Sequence, residues 1–517
     1  MLKPVDIDLP SKFVDWRRNQ LEIIFKIVAS QKYAFLLDSP TGTGKSLIGA
    51  AVQRFVGKNA VYLCTTTNLQ DQLLHDFPYA KLLMGRGRYK CLKFPQLYPR
   101  VSAIHCTHKT GNECDHVSQC PYRLAKAAAL SAPLAVLNTA YFLAESNYVG
   151  GFDEADFVII DEFDTVEGQL LGFVQVAFNA REVAEYGIQP PQFKTKASSW
   201  QPWALDAKKR IDAELEKVRL SVEGSSAWST PDFQSIKALH DLEAFSSRIG
   251  FLAHEVNESW VYDETMFGWV FKPTWISRYA GNLLWKRMKR VLGMSATILD
   301  PEQIDKNTGL TLYGERGYDY ISLDSPFPVE NRPIFYEPVA AVTRKNELEA
   351  YPAVAGAISR IMTKHPVSKI LVHTVSYKLR DYIQDHVKSD RFITHDSSNR
   401  NERLEYFMHA TRPLVMLSPS MDRGVDLAGD EYDVVVICKL PYPNLGDKQI
   451  SKRVHGSKDG NAWYRHQTAC VIIQMCGRHI RSVDKKGVVY ILDEKFGSFV
   501  EECRNLFPKW FLKAVVM

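Results

Sequence analysis

The sequence predicts an α/β protein made of two parallel-sheet domains, the first interrupted by two insertions. Short apolar runs at 33–38, 60–64, 134–138, 157–161 and 290–294 alternate with stretches of helical periodicity, the pattern of a parallel sheet with crossover helices. The alternation resumes after residue 325, with runs at 369–373, 414–417, 433–437 and 487–492. At 517 residues the chain is also too long for a single hydrophobic core.

The first run opens the most informative stretch, "AFLLDSPTGTGKSLIGAAVQRF". A strand (Ala34 to Leu37) leads into a glycine-rich loop, and the loop leads into a helix marked by Leu47, Ile48, Ala51, Val52 and Phe55. Gly42 and Gly44 let backbone N–H groups curl around phosphate, Lys45 brings a positive charge, and the Ser46 hydroxyl suits Mg²⁺. Ser39 takes the first position of the loop, where a small residue fits the turn, and Pro40, Thr41 and Thr43 complete it. The fourth run, "DFVIIDEFD", ends a strand in Asp161 and Glu162. Carboxylates at the C-terminal end of such a strand can hold a metal and polarise water. Alone, either feature has a plain reading: a solvated lysine in a turn, or an acidic strand end.

Two further motifs follow. "VLGMSATI" (291–298) is a strand running into Ser295, Ala296 and Thr297. "QMCGRHIRS" (474–482) spaces Gln474, Arg478 and Arg481 by four and three residues, which predicts one helical face carrying all three. Two guanidiniums there could neutralise a transferring phosphoryl group while the amide orients water.

The insertions differ in character. Roughly 84–122 contains Cys91, Cys106, Cys114 and Cys120, four of the nine cysteines, separated by fourteen, seven and five residues. The spacing is loop-like and lacks the paired knuckles of structural zinc sites, and four thiolates are what an iron–sulfur cluster needs. His105, His108 and His116 lie among them, so the residues alone leave zinc open, and reduced thiols as well. Roughly 168–262 is mainly helical: Ala204, Ala207, Ile211, Leu215 and Val218 form one stripe, and Phe233, Ile236, Leu239, Leu242, Phe245, Ile249 and Leu252 another. These stripes are read as core packing, with "EGSSAWSTPD" as the loop between them.

Bulk properties narrow the class. The start, "MLKPVDIDLPSKFVDWRRNQ", lacks the apolar core of a signal peptide, and no apolar run is long enough to span a bilayer. Cys64, Cys438, Cys470, Cys476 and Cys503 stand singly, which predicts reduced thiols and a cytoplasmic protein, or a viral one acting in its host's cytoplasm. A net charge of +5 permits a polyanionic partner without requiring one.

The ordered motifs resemble those of the XPD/DinG family of superfamily two iron–sulfur DNA helicases, over nearly the whole chain. The resemblance rests on "RRNQ" ending at Gln20, "TGTGKS", "TTTNLQDQL" (65–73), "GRGRYKC" and "CPYRLAKAA" on either side of the cysteine segment, and "LNTAYFL" (137–143). It continues through "DEFD", "SATI", "DSPFP" (324–328), "ILVHTVSY" (370–377), "MDRGVDLAGD" (421–430), "KLPYPNLGD" (439–447), "QMCGRHIRS" and "GVVYILDEKF". It implies two RecA-like motor domains: 1–83 with 123–167 and 263–324, and 325–517. It also implies an iron–sulfur domain at 84–122 and a helical Arch-like domain at 168–262. ATP would bind at Gln20, residues 39–46, Gly424 and Asp426, with Mg²⁺ on Ser46 and Asp161. Lys45, Asp161, Glu162, Gln474, Arg478 and Arg481 would carry hydrolysis, and the four cysteines would hold a [4Fe–4S] cluster.

The same resemblance implies a monomer translocating 5′-to-3′ on single-stranded or forked DNA, with RNA–DNA hybrids as a further substrate. Arg86, Arg88, Tyr89, Lys90, Thr66 and Gln70 would contact the strand, since cations with an interleaved aromatic suit phosphate contact and base stacking. The basic stretch 448–467, with Trp463 and Tyr464, offers a second such surface, although a charge run is usually just a solvated face. Three positions depart from the family pattern: Asp164 replaces the His that ends motif II, Arg423 stands where Glu is usual, and Arg88 where Asn is usual. Competing expectations are a translocase that remodels complexes with little unwinding and a redox-sensing nucleic-acid-binding protein. A helicase–nuclease fusion is not expected, because no acidic nuclease segment precedes residue 15.

Overall fold

In the computed structural model the strands of the first half are β1 (Ala34–Asp38), β2 (Ala60–Cys64), β3 (Ala80–Leu83), β4 (Leu134–Asn138), β5 (Phe157–Asp161), β6 (Val176–Asn179), β7 (Trp260–Thr265), β8 (Gly268–Pro273), β9 (Val291–Ser295) and β10 (Tyr318–Ser322). Those of the second half are β11 (Ile334–Ala340), β12 (Ile370–His373), β13 (Phe392–Thr394), β14 (Val415–Ser418), β15 (Val434–Ile437), β16 (Val488–Asp493) and β17 (Val515–Val516). The structure describes residues 2–57, 59–106, 114–153, 155–192, 199–223, 233–313, 317–343, 345–420, 433–477, 479–480 and 482–517.

Two seven-stranded sheets, parallel throughout, form the two lobes. Their orders are β10-β1-β9-β5-β2-β4-β3 and β13-β14-β12-β15-β16-β11-β17. Burial on both faces explains the unbroken apolar runs. In the first sheet Leu36, Leu63, Val158 and Ile160 pack to one side, while Phe35, Leu37, Tyr62, Ile159 and Leu292 pack to the other. The second sheet is likewise covered on both faces. The chain leaves the first sheet at Ser322 and enters the second at Ile334.

The strands expected from apolar runs lie within a residue or so of those runs, whereas β11 and the edge strands escaped the sequence. β10 reads "YDYIS" and is half-buried or more open, β13 has three residues, and β3 alternates between buried and open positions. None offers the apolar run by which the buried strands were found.

Register places the chemistry. Asp38 is opposite Ser295, and Asp161 is opposite Met294, so β1, β9 and β5 end side by side. The phosphate-loop motif, the SAT motif and the acidic motif therefore share one carboxyl edge, where open α/β sheets bind ligands.

A third sheet, β6-β8-β7, is antiparallel and supports two long helices, Trp200–Glu223 and Phe233–Glu255, packed on each other. Ala204, Ala207 and Ile211 on the first helix are buried, as are Ile236, Leu239, Leu242, Phe245, Ile249 and Leu252 on the second. Leu215 and Val218 pack at the core's margin. The supporting sheet runs on to Pro273, past the 262 expected from composition, because β7 and β8 form a hairpin that a search for helical stripes does not register. Gly268 closes it at φ +155, where a Cβ would lie 1.9 Å from the Phe178 carbonyl oxygen. The loop 224–232 lies outside the described residues. Among the described residues no helix is long and apolar enough to cross a membrane.

Phe245 is fully buried, stacked on Tyr186 at 5.4 Å and edge-on to Phe178 at 5.8 Å. Phe245→Ala is expected to destabilise the protein by about 3–5 kcal/mol, read as a lowered midpoint in denaturant unfolding.

Candidate active site

β1 feeds the loop 39–44, and the helix Lys45–Val56 starts directly after it. Gly42 and Gly44 adopt φ +82 and +81, the left-handed region that glycine enters freely and that turns the loop's amides inward. Ser39 fits the turn because it is small and its hydroxyl pairs with Thr43 Oγ1, while its N–H donates to the Ser295 carbonyl at 2.6 Å. Thr43 Oγ1 also donates to the Pro40 carbonyl. Lys45 Nζ donates to the Ser39 carbonyl at 3.0 Å.

Gln20 is buried beside this loop. Its Nε2 donates to the Thr43 carbonyl at 2.7 Å, and its Oε1 accepts from the Arg17 N–H at 2.7 Å. A Cβ on Gly44 would lie 2.4 Å from that Nε2. One end of the amide braces the phosphate loop while the other is fixed by the Arg17 backbone, and the Arg17 side chain adds a hydrogen bond to the Gly42 carbonyl.

The acidic loop is built around Asp161, buried at the end of β5. Tyr62, fully buried, donates its hydroxyl to Asp161 Oδ2 at 2.8 Å and also hydrogen-bonds Ser46. Burial and the Asp161 charge raise the Tyr62 phenol far above its usual range, so it remains a donor linking the two side chains suited to Mg²⁺. Glu162 follows in a left-handed conformation, φ +49, which is uncommon for a residue with a side chain and characteristic of functional turns. Thr165 holds that turn by donating twice to the Glu162 carbonyl, and the Glu162 N–H donates to Asp161 Oδ1. The Glu162 side chain stays exposed, with Thr65 Oγ1 at 3.4 Å.

Asp164 joins the lobes. Its Oδ1 accepts from Ser295 Oγ at 2.6 Å, and its Oδ2 accepts from Gln474 Nε2 at 2.9 Å. The same Nε2 donates to Thr297 Oγ1 at 2.9 Å, while Gln474 Oε1 is buried with no partner among the described residues. Gln474 lies on the second-lobe helix Gly460–Cys476. Two other side chains on its face reach the same loop at four-residue spacing: His466 Nε2 contacts the Ile298 carbonyl at 2.8 Å, and Cys470 Sγ the Thr297 carbonyl at 3.3 Å. Burial lowers the His466 imidazole's pKa, so the ring is neutral and must carry its proton on Nε2 to donate. Sequence reasoning missed both residues, although the i, i+4, i+8 spacing with Gln474 was there to be read.

The helix that carries Gln474 ends at Cys476, and Gly477, a poor helix former, caps it. Arg478 and Arg481 themselves lie outside the described residues, as do Arg423, Gly424, Asp426 and His108. The Gly477 carbonyl accepts from Thr41 Oγ1 at 3.2 Å, a second contact between the lobes at the nucleotide loop.

The residues expected to touch a strand divide. Arg88 and Lys90 are exposed, and Thr66 caps the helix Thr67–Asp76. Gln70 is 4% exposed and hydrogen-bonds the Cys64 thiol, so it is not presented to a strand. Tyr89 is half-buried, its ring edge-on to Tyr122 at 5.7 Å and its hydroxyl accepting from the Met84 N–H. Arg86 lies over the Tyr122 ring at 5.3 Å. Beneath, Tyr122, Tyr141 and Lys126 converge on the buried carboxylate of Glu145 and tie the segment to the first lobe. The 448–467 stretch is not a stacking surface: Trp463 is 7% exposed and donates Nε1 to Glu167, and Tyr464 stacks on Tyr442. Its cations face protein instead, Lys448 toward Asp263 and Lys452 toward the Glu258 and Trp260 carbonyls.

Cys91, Cys106, Cys114 and Cys120 are all half-buried, and none is in a disulfide. The Cys91 thiol, raised first by burial, accepts hydrogen bonds from the Lys93 and Phe94 amides and feels Cys106 and Cys114. That donor set and amide environment suit a thiolate-ligated group. Among the described residues, however, no three His, Cys, Asp or Glu side chains stand close enough to hold a metal ion. Phe94 and Val101 pack on Ile236 of the long helix with Cys91 at the margin, and the His105 ring lies 5.0 Å from His240.

Comparison with known proteins agrees with this architecture. Residues 358–514 match the helicase C-terminal domain family, and residues 13–190 match the type III restriction enzyme res subunit family. The chain is 20% identical to the ATP-dependent DNA helicase YoaA of Haemophilus influenzae, over 93% of this chain and 91% of that one. It is 26% identical to the regulator of telomere elongation helicase 1 homolog of Caenorhabditis elegans, over 33% of this chain and 21% of the relative. Among solved structures it resembles an XPD helicase with TM-score 0.63 and 17% identity, covering 95% of this chain and 98% of that one. S. tokodaii Xpd4 superposes with TM-score 0.61 and 15% identity, covering 96% and 99%.

Asp38, at the end of β1, is buried and accepts from the Leu299 N–H and the Tyr320 hydroxyl, both at 3.1 Å. Burial pushes its carboxyl from an ordinary 3.8 up to about 6, against those hydrogen bonds and the Lys45 charge, which pull it down. A raised acid favours the folded state below its unfolded value, and that contribution fades as pH rises through the folded value. Asp38→Asn, which can still accept both hydrogen bonds, is therefore expected to melt progressively higher than the parent as pH rises from about 4 to 7. Thermal unfolding across that range checks it.

Proposed function

We propose that this chain, which belongs to the XPD/DinG-like helicase family, is an ATP-dependent DNA helicase that moves 5′-to-3′ along single-stranded DNA. The observation that carries the reading is the junction at Asp164, where the acidic loop, the SAT motif and Gln474 of the second lobe share one carboxylate. Hydrolysis beside such a junction changes what the second lobe can hold, which is how turnover becomes movement.

In the proposed cycle the triphosphate enters the loop 39–46 and Lys45 transfers its hydrogen bond from the Ser39 carbonyl to phosphate. Ser46 and Asp161 would hold Mg²⁺, which supplies charge neutralisation on the phosphates. Exposed Glu162 takes the proton of the attacking water, its turn fixed by Thr165. Gln474, held beside the acidic loop by Asp164 and Thr297, orients that water. Arg478 and Arg481 enter the proposal by their sequence position, as do Gly424 and Asp426. Gln20 acts through the loop it braces as well as on the base.

The division into motor lobes at 1–83 with 123–167 and 263–324, and at 325–517, belongs to the proposal. So do an iron–sulfur insert at 84–122, an Arch-like insert at 168–262 that the β7–β8 hairpin extends to Pro273, and a monomeric state. Cys91, Cys106, Cys114 and Cys120 would hold the [4Fe–4S] cluster, and the amides on Cys91 support that reading. Arg86, Arg88 and Lys90 border the same segment and would take the strand's phosphates.

Lys45→Ala is expected to lower DNA-stimulated ATP turnover by about 100-fold or more and to abolish unwinding of a fork with a 5′ tail. Turnover indifferent to DNA in the parent would overturn the motor reading. Efficient translocation without fork unwinding would favour the remodelling translocase instead. Protein purified without oxygen is expected to be coloured and to carry iron at the four cysteines, and zinc in place of iron would reassign them.

A further inference from the structure

The basic stretch expected to bind DNA contains one arginine whose surroundings are unlike those of its neighbours. Arg453, on the helix Lys448–Gly456 of the second lobe, is 2% exposed. Its guanidinium lies between two indole rings, Trp275 at 4.3 Å and Trp463 at 4.4 Å. Nε and Nη2 both donate to the Thr274 carbonyl, at 2.9 and 2.6 Å, and Nη1 donates to Glu167 Oε1. The other oxygen of Glu167 accepts from Trp463 Nε1 at 3.0 Å. A desolvated arginine with its fork and both faces occupied is a built joint, which a lysine's point charge cannot reproduce.

What the joint connects gives it meaning. Glu167 lies in the first turn of the helix Val166–Val174, three residues after Asp164 and five after Glu162. Thr274 directly follows β8, in the sheet that supports the long helices. Around this centre, Gln449 Nε2 donates to the Pro273 carbonyl at 2.8 Å, and Lys272 pairs with Asp447 at 2.9 Å. The second lobe thus holds the chain downstream of the acidic loop and the root of the helical insertion with the same side chain.

We propose that Arg453 is a positioning residue that couples the second lobe at once to the acidic loop and to the root of the helical insertion, so that lobe movement reaches both together. The proposal rests on the motor reading above and adds a route for the motion: closure of the cleft is delivered through Glu167 to the turn that holds Glu162, and through Thr274 to the insertion.

The test uses the full chain and the variants R453K and E167Q, each carried through thermal unfolding, ATP turnover without DNA, ATP turnover with saturating single strand, and ATP consumed per nucleotide advanced. Turnover without DNA and KM for ATP are expected within about twofold of the parent, while DNA-stimulated kcat falls about tenfold and more ATP is consumed per nucleotide. The double variant is expected to be no worse than the weaker single one, because both remove the same joint. W463F keeps a ring on Arg453 and loses one hydrogen bond, so it serves if R453K does not fold, with a smaller loss of the same kind. Equal proportional losses with and without DNA, tracking only a lowered melting temperature, would overturn the proposal by reducing Arg453 to a structural part. Parent-like coupling in a DNA-stimulated enzyme would overturn it outright. A parent whose turnover ignores DNA would instead overturn the motor reading, and this role with it.

Discussion

Asp164 carries two demands on one buried carboxylate: it accepts from Ser295 within its own lobe and from Gln474 in the other. Each oxygen has a short donor, and neither donor is itself charged, so the arrangement is sensitive to small displacements of either lobe. The backbone leaves little slack to absorb such displacements. Three residues, 162 to 164, separate the buried carboxylate of Asp161 from the turn's closing Thr165, and the left-handed Glu162 sits among them. A displacement of Gln474 would therefore be passed to the turn that carries the exposed Glu162.

A second set of constraints surrounds the phosphate loop. Gln20 and Arg17 hold it from the N-terminal side, Thr41 reaches the Gly477 carbonyl of the second lobe, and the Phe327 ring covers Gly42 so closely that a Cβ there would meet it at 2.2 Å. Phe327 lies on the segment that leads from the first sheet to the second. The loop is thus touched by the N-terminal segment, the second lobe and the segment between the sheets, and its glycines serve close packing as much as backbone conformation.

Much of this was legible because the buried sheet and the phosphate loop are coded locally. The strands β1, β2, β4, β5 and β9 are apolar on both faces, and the loop's glycines stand at fixed offsets from Lys45. What was hidden depends on distant partners. Trp463 and Arg453 have the composition of a nucleic-acid surface, and only the approach of Glu167, 286 residues before Arg453, makes them an interior joint. Gln70 reads as an exposed polar residue until β2 places Cys64 beneath it.

Among the described residues the contact of Phe94 and Val101 with Ile236 is small: three buried side chains, with Cys91 and Leu97 at the rim and the His105 ring beside His240. Each lobe, by contrast, has dozens of buried residues to keep it folded. A joint of that size can part while both lobes stay intact, as the weakest cooperative units of a protein do. The cysteine-bearing segment and the long helix therefore meet at a clasp rather than a weld, and chemical damage to the sulfur of Cys91 would loosen a mechanical fastening before it touched the motor.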